Sequence, residues 1–236
     1  MTKLRICPTG QNCLIHAMSA ADRAAIEPHL AMTGLEQQKV LETAHEPVAT
    51  VYFPVSGIGS MIALGGQGRQ IEVGLFGREG MSGTAVVMDT VQSPQEIVMQ
   101  VSGRGYAIEA GRLRELIEAR PTIRRILLHY VQILATQTAH TALSNGQSKL
   151  EERLARWLLM CHDRIEGDEV ELTHDFLSIM LGVRRAGVTV GTHLLEGKGL
   201  IRATRGMIQI LDREGLEDLS ESSYGIPERE HERLMC

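Results

Sequence analysis

Aromatic residues are scarce in this chain: three Phe, four Tyr and one Trp among 236 residues. Its core must therefore be built from Leu, Ile, Val, Met and Ala, which are plentiful enough for one large or two modest domains. No apolar run approaches the ~18 residues that would mark a membrane span. The N-terminus, MTKLRICPTGQNC, lacks the apolar stretch of a signal peptide, so a cytoplasmic location is expected. The four cysteines (Cys7, Cys13, Cys161, Cys236) form no CxxC and suggest no disulfide or iron–sulfur framework. A reduced, structural Cys161 in an apolar helix is the expectation. The nine histidines include no HxH or HExxH spacing, so no metal site is expected. Gly65-Gly66-Gln67-Gly68 lacks the lysine and hydroxyl residue of a P-loop and reads as a hairpin turn. No paired-carboxylate or Ser-His-Asp pattern suggests an enzyme. The net charge of −5 excludes a uniformly basic surface, though not a local basic face.

Three zones follow along the chain. Residues 1 to about 45 read as mostly helical, with a start at Ser19-Ala20-Ala21-Asp22-Arg23 and Ile26 and Leu30 four apart. From Pro47 to about Ala110, short β-favouring runs alternate with glycine-rich turns: residues 50–53, 59–64, 70–73 and 96–101. Such spacing suggests an antiparallel barrel or jelly roll. A jelly-roll enzyme would need metal-binding histidines on the strands between 50 and 105, and that span has none. Residues 111–145 turn helical, with Pro121 suited to a first turn. Ile123, Ile126, Leu127, Tyr130, Ile133, Leu134 and Gln137 follow at steps of three and four. This stripe fits either a helix packed on its own domain or a two-helix seam. Asn145-Gly146-Gln147-Ser148 reads as a hinge, with Asn145 or Ser148 capping the next helix, whose apolar face holds Leu150, Leu154, Trp157, Leu158 and Cys161.

Residues 172–211 carry the most information. Thr173 is a plausible N-cap for a helix lined by Phe176, Leu177, Met180 and Leu181, which Gly182 ends. A second helix is expected from about Arg184 to Glu196, packed through Val188, Leu194 and Leu195, and stopped by Gly197 and Gly199. Residues 200–202 and 207–210 read as two short strands with Arg205-Gly206 at their turn. Helix, turn, helix and hairpin in this order outline a winged helix-turn-helix, whose second helix enters the DNA major groove. Arg184, Arg185, Lys198, Arg202 and Arg205 stand against one acid, Glu196, between 176 and 211, as phosphate neutralisation requires. After Leu211 the chain turns acidic, with eight carboxylates against three arginines, and reads as a solvated tail.

The 172–211 segment resembles the DNA-binding domain of the Crp/Fnr family of bacterial transcription regulators. Residues 51–57 (VYFPVSG) and 72–81 (EVGLFGREGM) resemble the sensor domain of a branch from soil and plant-associated bacteria, and 150–159 (LEERLARWLL) the helix opening the DNA-binding domain. The resemblance spans roughly residues 13–212. It implies an α+β chain: a jelly-roll, cyclic-nucleotide-binding-like sensor over residues 1–120, a dimerisation helix over 121–145, a winged helix-turn-helix over 146–212, then the acidic tail, 213–236. The dimer seam would be the Ile123–Gln137 stripe.

Family members that bind a cyclic nucleotide pair an early Gly-Glu with a later Arg-Ser or Arg-Thr that clamps the phosphate. The aligned positions here are Gly83-Thr84 and Pro94-Gln95, which lack both the glutamate and the arginine. No cofactor is expected, and cyclic AMP is not expected to bind in the usual way; a cyclic-nucleotide response through a diverged pocket is the alternative. Gly77-Arg78-Glu79-Gly80 reads as a turn with two exposed charges. The resemblance implies a homodimer on near-palindromic double-stranded DNA, with RNA polymerase as a candidate partner. Arg185 takes the guanine-reading position, while Ala186 and Val190 stand where cyclic-AMP-responsive relatives have a glutamate and a second arginine; Val190 could touch a thymine methyl. Arg184, Thr189 and His193 are candidates for phosphate or adjacent base contacts, and Thr173, His174 and Arg205 for phosphate contacts.

Overall fold

Alternating burial along the first β-runs determines how the N-terminal half folds. In the computed structural model, which describes residues 7–172, 174–220 and 223–235 (only the backbone of 174 and 175), Val51 and Phe53 are buried at every second position of a strand. Seven strands form two antiparallel sheets. One has the order β1 (Ala31–Leu35), β7 (Gly103–Glu109), β3 (Thr50–Pro54). The other has the order β2 (Val40–Glu42), β6 (Gln95–Val101), β4 (Ile58–Leu64), β5 (Gln70–Phe76). Val51, Phe53 and Ile108 of the first sheet share a core with Phe76 and Ile97 of the second, as in a jelly roll. The Gly65–Gly68 segment is the β4–β5 turn, with Gln67 and Gly68 at positive φ.

The N-terminal zone is less helical than its composition suggests. Among the described residues it holds only α1 (Cys13–Ala17), α2 (Ala20–Ile26) and a 3₁₀ turn before β1 and β2, because those short strands borrow their stability from β7 and β6. Asn12 fixes the entry: its carbonyl caps α1 at Leu14 and Ile15, and its amide donates to Pro54 O (2.9 Å) and Gly80 O (2.8 Å). Cys7 and Cys13 are joined by a disulfide, contrary to the expectation that the cysteines form none, while Cys161 is free and buried.

After α3 (Thr84–Val87), α4 (Ala110–Ala119) and α5 (Pro121–Gln147) close the roll. The Ile123–Gln137 stripe turns out to face inward. Ile123, Leu127, Tyr130 and Leu134 belong to the roll's core, Ile133 is buried with them, and Ile126 packs partly against them. Gln137 Oε1 accepts from Leu75 N (2.7 Å), and Tyr130 OH donates to Met81 O (3.1 Å). Six of the seven stripe residues are therefore buried within the protomer, and Ile126 is half-buried. The opposite face exposes Leu128, Gln132, Ala135, Ala139, Ala142 and Leu143.

The helix runs through the expected hinge to Gln147, leaving Ser148 and Lys149 as the link to α6 (Leu150–His162). Lys149, not Asn145 or Ser148, is the N-cap residue, and Glu152 reaches back to accept from its backbone N–H (2.9 Å). Helix α6 is buried on nearly every side. One side packs on the outer face of the four-stranded sheet, where Ile58, Ile62 and Leu75 join its core, and Trp157 Nε1 donates to Glu72 Oε1 (2.7 Å).

The tail folds, contrary to its polar composition. Helix α9 (Arg213–Leu219) buries Leu216, and α10 (Ile226–Met235) lies along α5. Tyr224 OH donates to Asp163 Oδ2 (2.6 Å), Arg213 pairs with Asp163 (2.9 Å), and Arg156 Nε donates to Ser223 O (2.9 Å). Buried partners on and just beyond α6 thus offset a charge pattern that alone reads as solvated.

Candidate nucleic-acid interface

Residues 174–210 build the expected module. Helix α7 (His174–Leu181) ends at Gly182, whose φ of +60° suits glycine; a Cβ there would also lie 2.8 Å from Ile71 Cδ1 of the roll's hairpin. Helix α8 (Arg185–Gly197) follows with Arg184 as N-cap residue, and the wing is β9 (Ile201–Thr204) and β10 (Met207–Ile210), with β8 (Glu169–Glu171) completing the sheet. Val188 and Leu195 of α8 are fully buried, whereas Leu194, expected to pack, is 46% exposed. Gly191 and Thr192 take the place beside them: a Cβ on Gly191 would lie 3.5 Å from Leu154 Cδ2 of α6. Gly187 likewise faces Leu150 of α6, where a Cβ would make only ordinary van der Waals contact at 3.5 Å.

Two bonds brace the module. Glu196 Oε1 accepts from Ala203 N (2.8 Å), tying the end of α8 to the wing. Arg153 of α6 donates to the Leu181 carbonyl at the end of α7 and to Asn145 Oδ1 of α5 (3.0 Å).

Of the sequence candidates, Arg184, Arg185, Val190 and His193 are exposed on or beside α8, and Arg205 is exposed at the wing turn. Thr189 is half-buried, with its hydroxyl donating to Arg185 O (3.3 Å). Thr173 and the side chain of His174 lie outside the described residues. Arg184 and Arg185 stand at the positive end of the α8 dipole, where an anion is favoured.

The roll places Gly83-Thr84 at the start of α3 and Pro94-Gln95 at the start of β6. Gly83 N donates to Glu42 Oε1 (2.5 Å), and that carboxylate is buried. Burial raises its pKa, against the opposing pull of the Gly83 and Ser82 hydrogen bonds. The sequence carried no sign of this, since Glu42 lies 41 residues away from Gly83. Glu79, expected exposed, is buried and paired with Arg164 Nε of the segment after α6 (2.7 Å). Beside that pair a cavity of about 10 Å³, the size of one water molecule, is lined by Gln137, Glu228 and His231 among others. Among the described residues, no cluster of three His, Cys, Asp or Glu could hold a metal ion, and no helix is long and apolar enough to cross a membrane.

A β-roll joined through a long helix to a winged helix-turn-helix is the architecture this chain shares with solved structures of Crp/Fnr-type proteins. Residues 152–219 match the Crp-like helix-turn-helix domain, and the chain as a whole has the Crp/Fnr fold. A regulator of the crp/fnr family from Eubacterium rectale superposes with a TM-score of 0.69 at 19% identity, covering 89% of this chain and 98% of that one. FixK2 from Bradyrhizobium japonicum gives 0.69 at 16% identity, over 82% and 98% of the two chains. A CRP/FNR-family regulator from Thermus thermophilus gives 0.62 at 20%, over 82% and 100%. No curated protein sequence matches this chain.

Proposed function

We propose that this chain is a sequence-specific DNA-binding transcription regulator, working in the cytoplasm as a homodimer and not as an enzyme. The observation that carries the reading is the exposed edge of α8. It presents Arg184, Arg185, Val190 and His193 together, beside Arg205 on the wing, within the segment that matches the Crp-like domain. In this reading Arg185 bonds guanine O6 and N7, while Arg184 and Arg205 contact phosphates. Thr173 and His174 remain candidates for a phosphate contact at the start of α7, and RNA polymerase for a partner.

The dimer would form through the outer face of α5. Leu128, Gln132, Ala135, Ala139 and Ala142 recur at steps of four and three, the spacing of a two-helix seam, with Leu143 beside the last. Small residues there let two helices approach closely. Two heads held this way would read a near-palindromic site with half-sites about 34 Å apart.

The roll acts without a cyclic nucleotide in this reading. The Glu42 carboxyl already takes the Gly83 N–H, a backbone donor that a nucleotide would otherwise use. This opposes the alternative of a cyclic-nucleotide-responsive regulator.

In vitro selection from random duplex DNA with the full-length protein tests the reading, with cyclic AMP present and absent. A near-palindrome should be enriched equally in both arms. Failure to enrich any sequence overturns the DNA-reading function; enrichment only with cyclic AMP overturns the ligand-independent roll.

A further inference from the structure

The exposed side of α8 is apolar at its centre. Successive helical residues turn by about 100°. The buried edge of α8 is Val188, Gly191, Thr192 and Leu195. Opposite it, at the centre of the exposed side, lie Ala186, Val190 and His193, with Arg185 and Thr189 to one flank and Leu194 to the other. Val190 is 58% exposed and Leu194 46%. This is an unusual surface for a helix that must enter a groove lined by hydrogen-bonding base edges. A valine pressed on guanine, cytosine or adenine strips water from polar atoms and returns no hydrogen bond. Only thymine offers an apolar group there, its C5-methyl.

Resting on the reading of α8 as the DNA-reading helix, we propose that Ala186 and Val190 are specificity residues that select thymine through its methyl group. The target half-site then joins a G·C pair, read by Arg185, to thymines facing Ala186 and Val190. Arg185 and Val190 are five residues apart, about 7.5 Å along the helix, so the Val190 thymine lies within about two or three base pairs of the guanine. Discrimination comes from burying methyl groups together, and a G·C pair at those positions is rejected because its polar edge is left unpaired.

Deoxyuridine differs from thymidine at this edge only by the missing methyl, which makes the test direct. The selected site is synthesised with each thymine of one half-site replaced in turn by deoxyuridine, and binding is measured by fluorescence anisotropy at fixed salt. At the position facing Val190 affinity should fall about fourfold, the loss expected for one buried methyl-sized contact. With V190A, whose site is on the surface, the same replacement should cost little, while replacements outside the reading edge should cost nothing in either protein. A selected half-site without thymine beside the guanine overturns the proposal. So does a deoxyuridine penalty equally large in V190A, which would assign the methyl's effect to DNA shape. Either result leaves DNA reading intact, whereas failure to select any site removes both.

Discussion

Single side chains at the edge of the head should have separable tasks if α8 reads DNA as proposed. Arg185→Ala should cost about 1–3 kcal/mol on the selected site and relax base preference at one position. Arg205→Ala, at the exposed wing turn, should weaken selected and random DNA alike and lower the slope of log K against log salt by about one. Equal losses on both kinds of DNA for both variants would show these roles to be wrong. Glu72 offers a test of another kind. Its carboxyl is pushed up to about 7 from 4.5, chiefly by burial, against the opposing hydrogen bonds of Ser60 and Trp157. Between those two pH values the folded chain holds a proton that the unfolded chain has lost. Its contribution is therefore full below about 4.5, falls as pH rises towards 7 and is level above, a change on the order of 3 kcal/mol. Glu72→Gln keeps an acceptor for Trp157 and abolishes the titration. Its melting temperature relative to the unaltered protein should climb from pH 5 to pH 7.5; a constant difference would show that Glu72 does not carry the proton.

Helix α5 has two apolar faces, and that is why its spacing alone was ambiguous. The Ile123–Gln137 stripe and the Leu128–Ala142 stripe both repeat at three and four, but one packs on the roll and the other is exposed. Ala139→Glu places like charges opposite each other in the seam and should give a folded monomer by sedimentation, with unchanged far-UV circular dichroism. Leu127→Ala, on the inner face, should remain dimeric and lose about 2–5 kcal/mol of stability. A dimeric Ala139→Glu variant would put the interface elsewhere. Strands with their own alternation, such as β3 to β6, were legible in the sequence, as were the helix-turn-helix and its wing, where Gly182 and Gly206 sit at positive φ as their turns require. Strands β1 and β2 were not, because short runs take their structure from distant neighbours. Arg184, Arg185, Val190, His193 and Arg205, exposed together on α8 and the wing turn, could be grouped from the sequence, because one helix and one turn bring them together. The Glu42–Gly83 bond and the buried Glu79–Arg164 pair were not, since each joins segments far apart in the chain. The folded tail escaped for the same reason: its eight acids conceal Leu216 and Tyr224, whose partners lie on or just beyond α6.

At the scale of the whole molecule, roll and head do not stand apart. The outer face of the four-stranded sheet supplies Ile58, Ile62 and Leu75 to the same core as Leu158, Leu177, Val188 and Ile208 of the head. Ile71 of the hairpin lies against Gly182 at the reading turn, and α10 returns from the head to lie along α5. Apolar burial of this extent, at about 25 cal/mol per Å², couples the two halves far more strongly than a flexible hinge would. The chain should therefore unfold in one cooperative transition rather than two. Its single tryptophan makes this measurable, because Trp157 is 4% exposed and bonded to Glu72 across the junction. Tryptophan fluorescence then reports the junction, and far-UV circular dichroism reports all the helices and strands. Their melting curves should coincide, in the unaltered protein and in Ala139→Glu alike, since the junction lies within one protomer. A fluorescence change several degrees below the circular-dichroism midpoint would mean that the head leaves the roll before either unfolds. The junction would then be a loose contact between independent domains, and Glu72 could not exert its proposed effect on the stability of the whole chain.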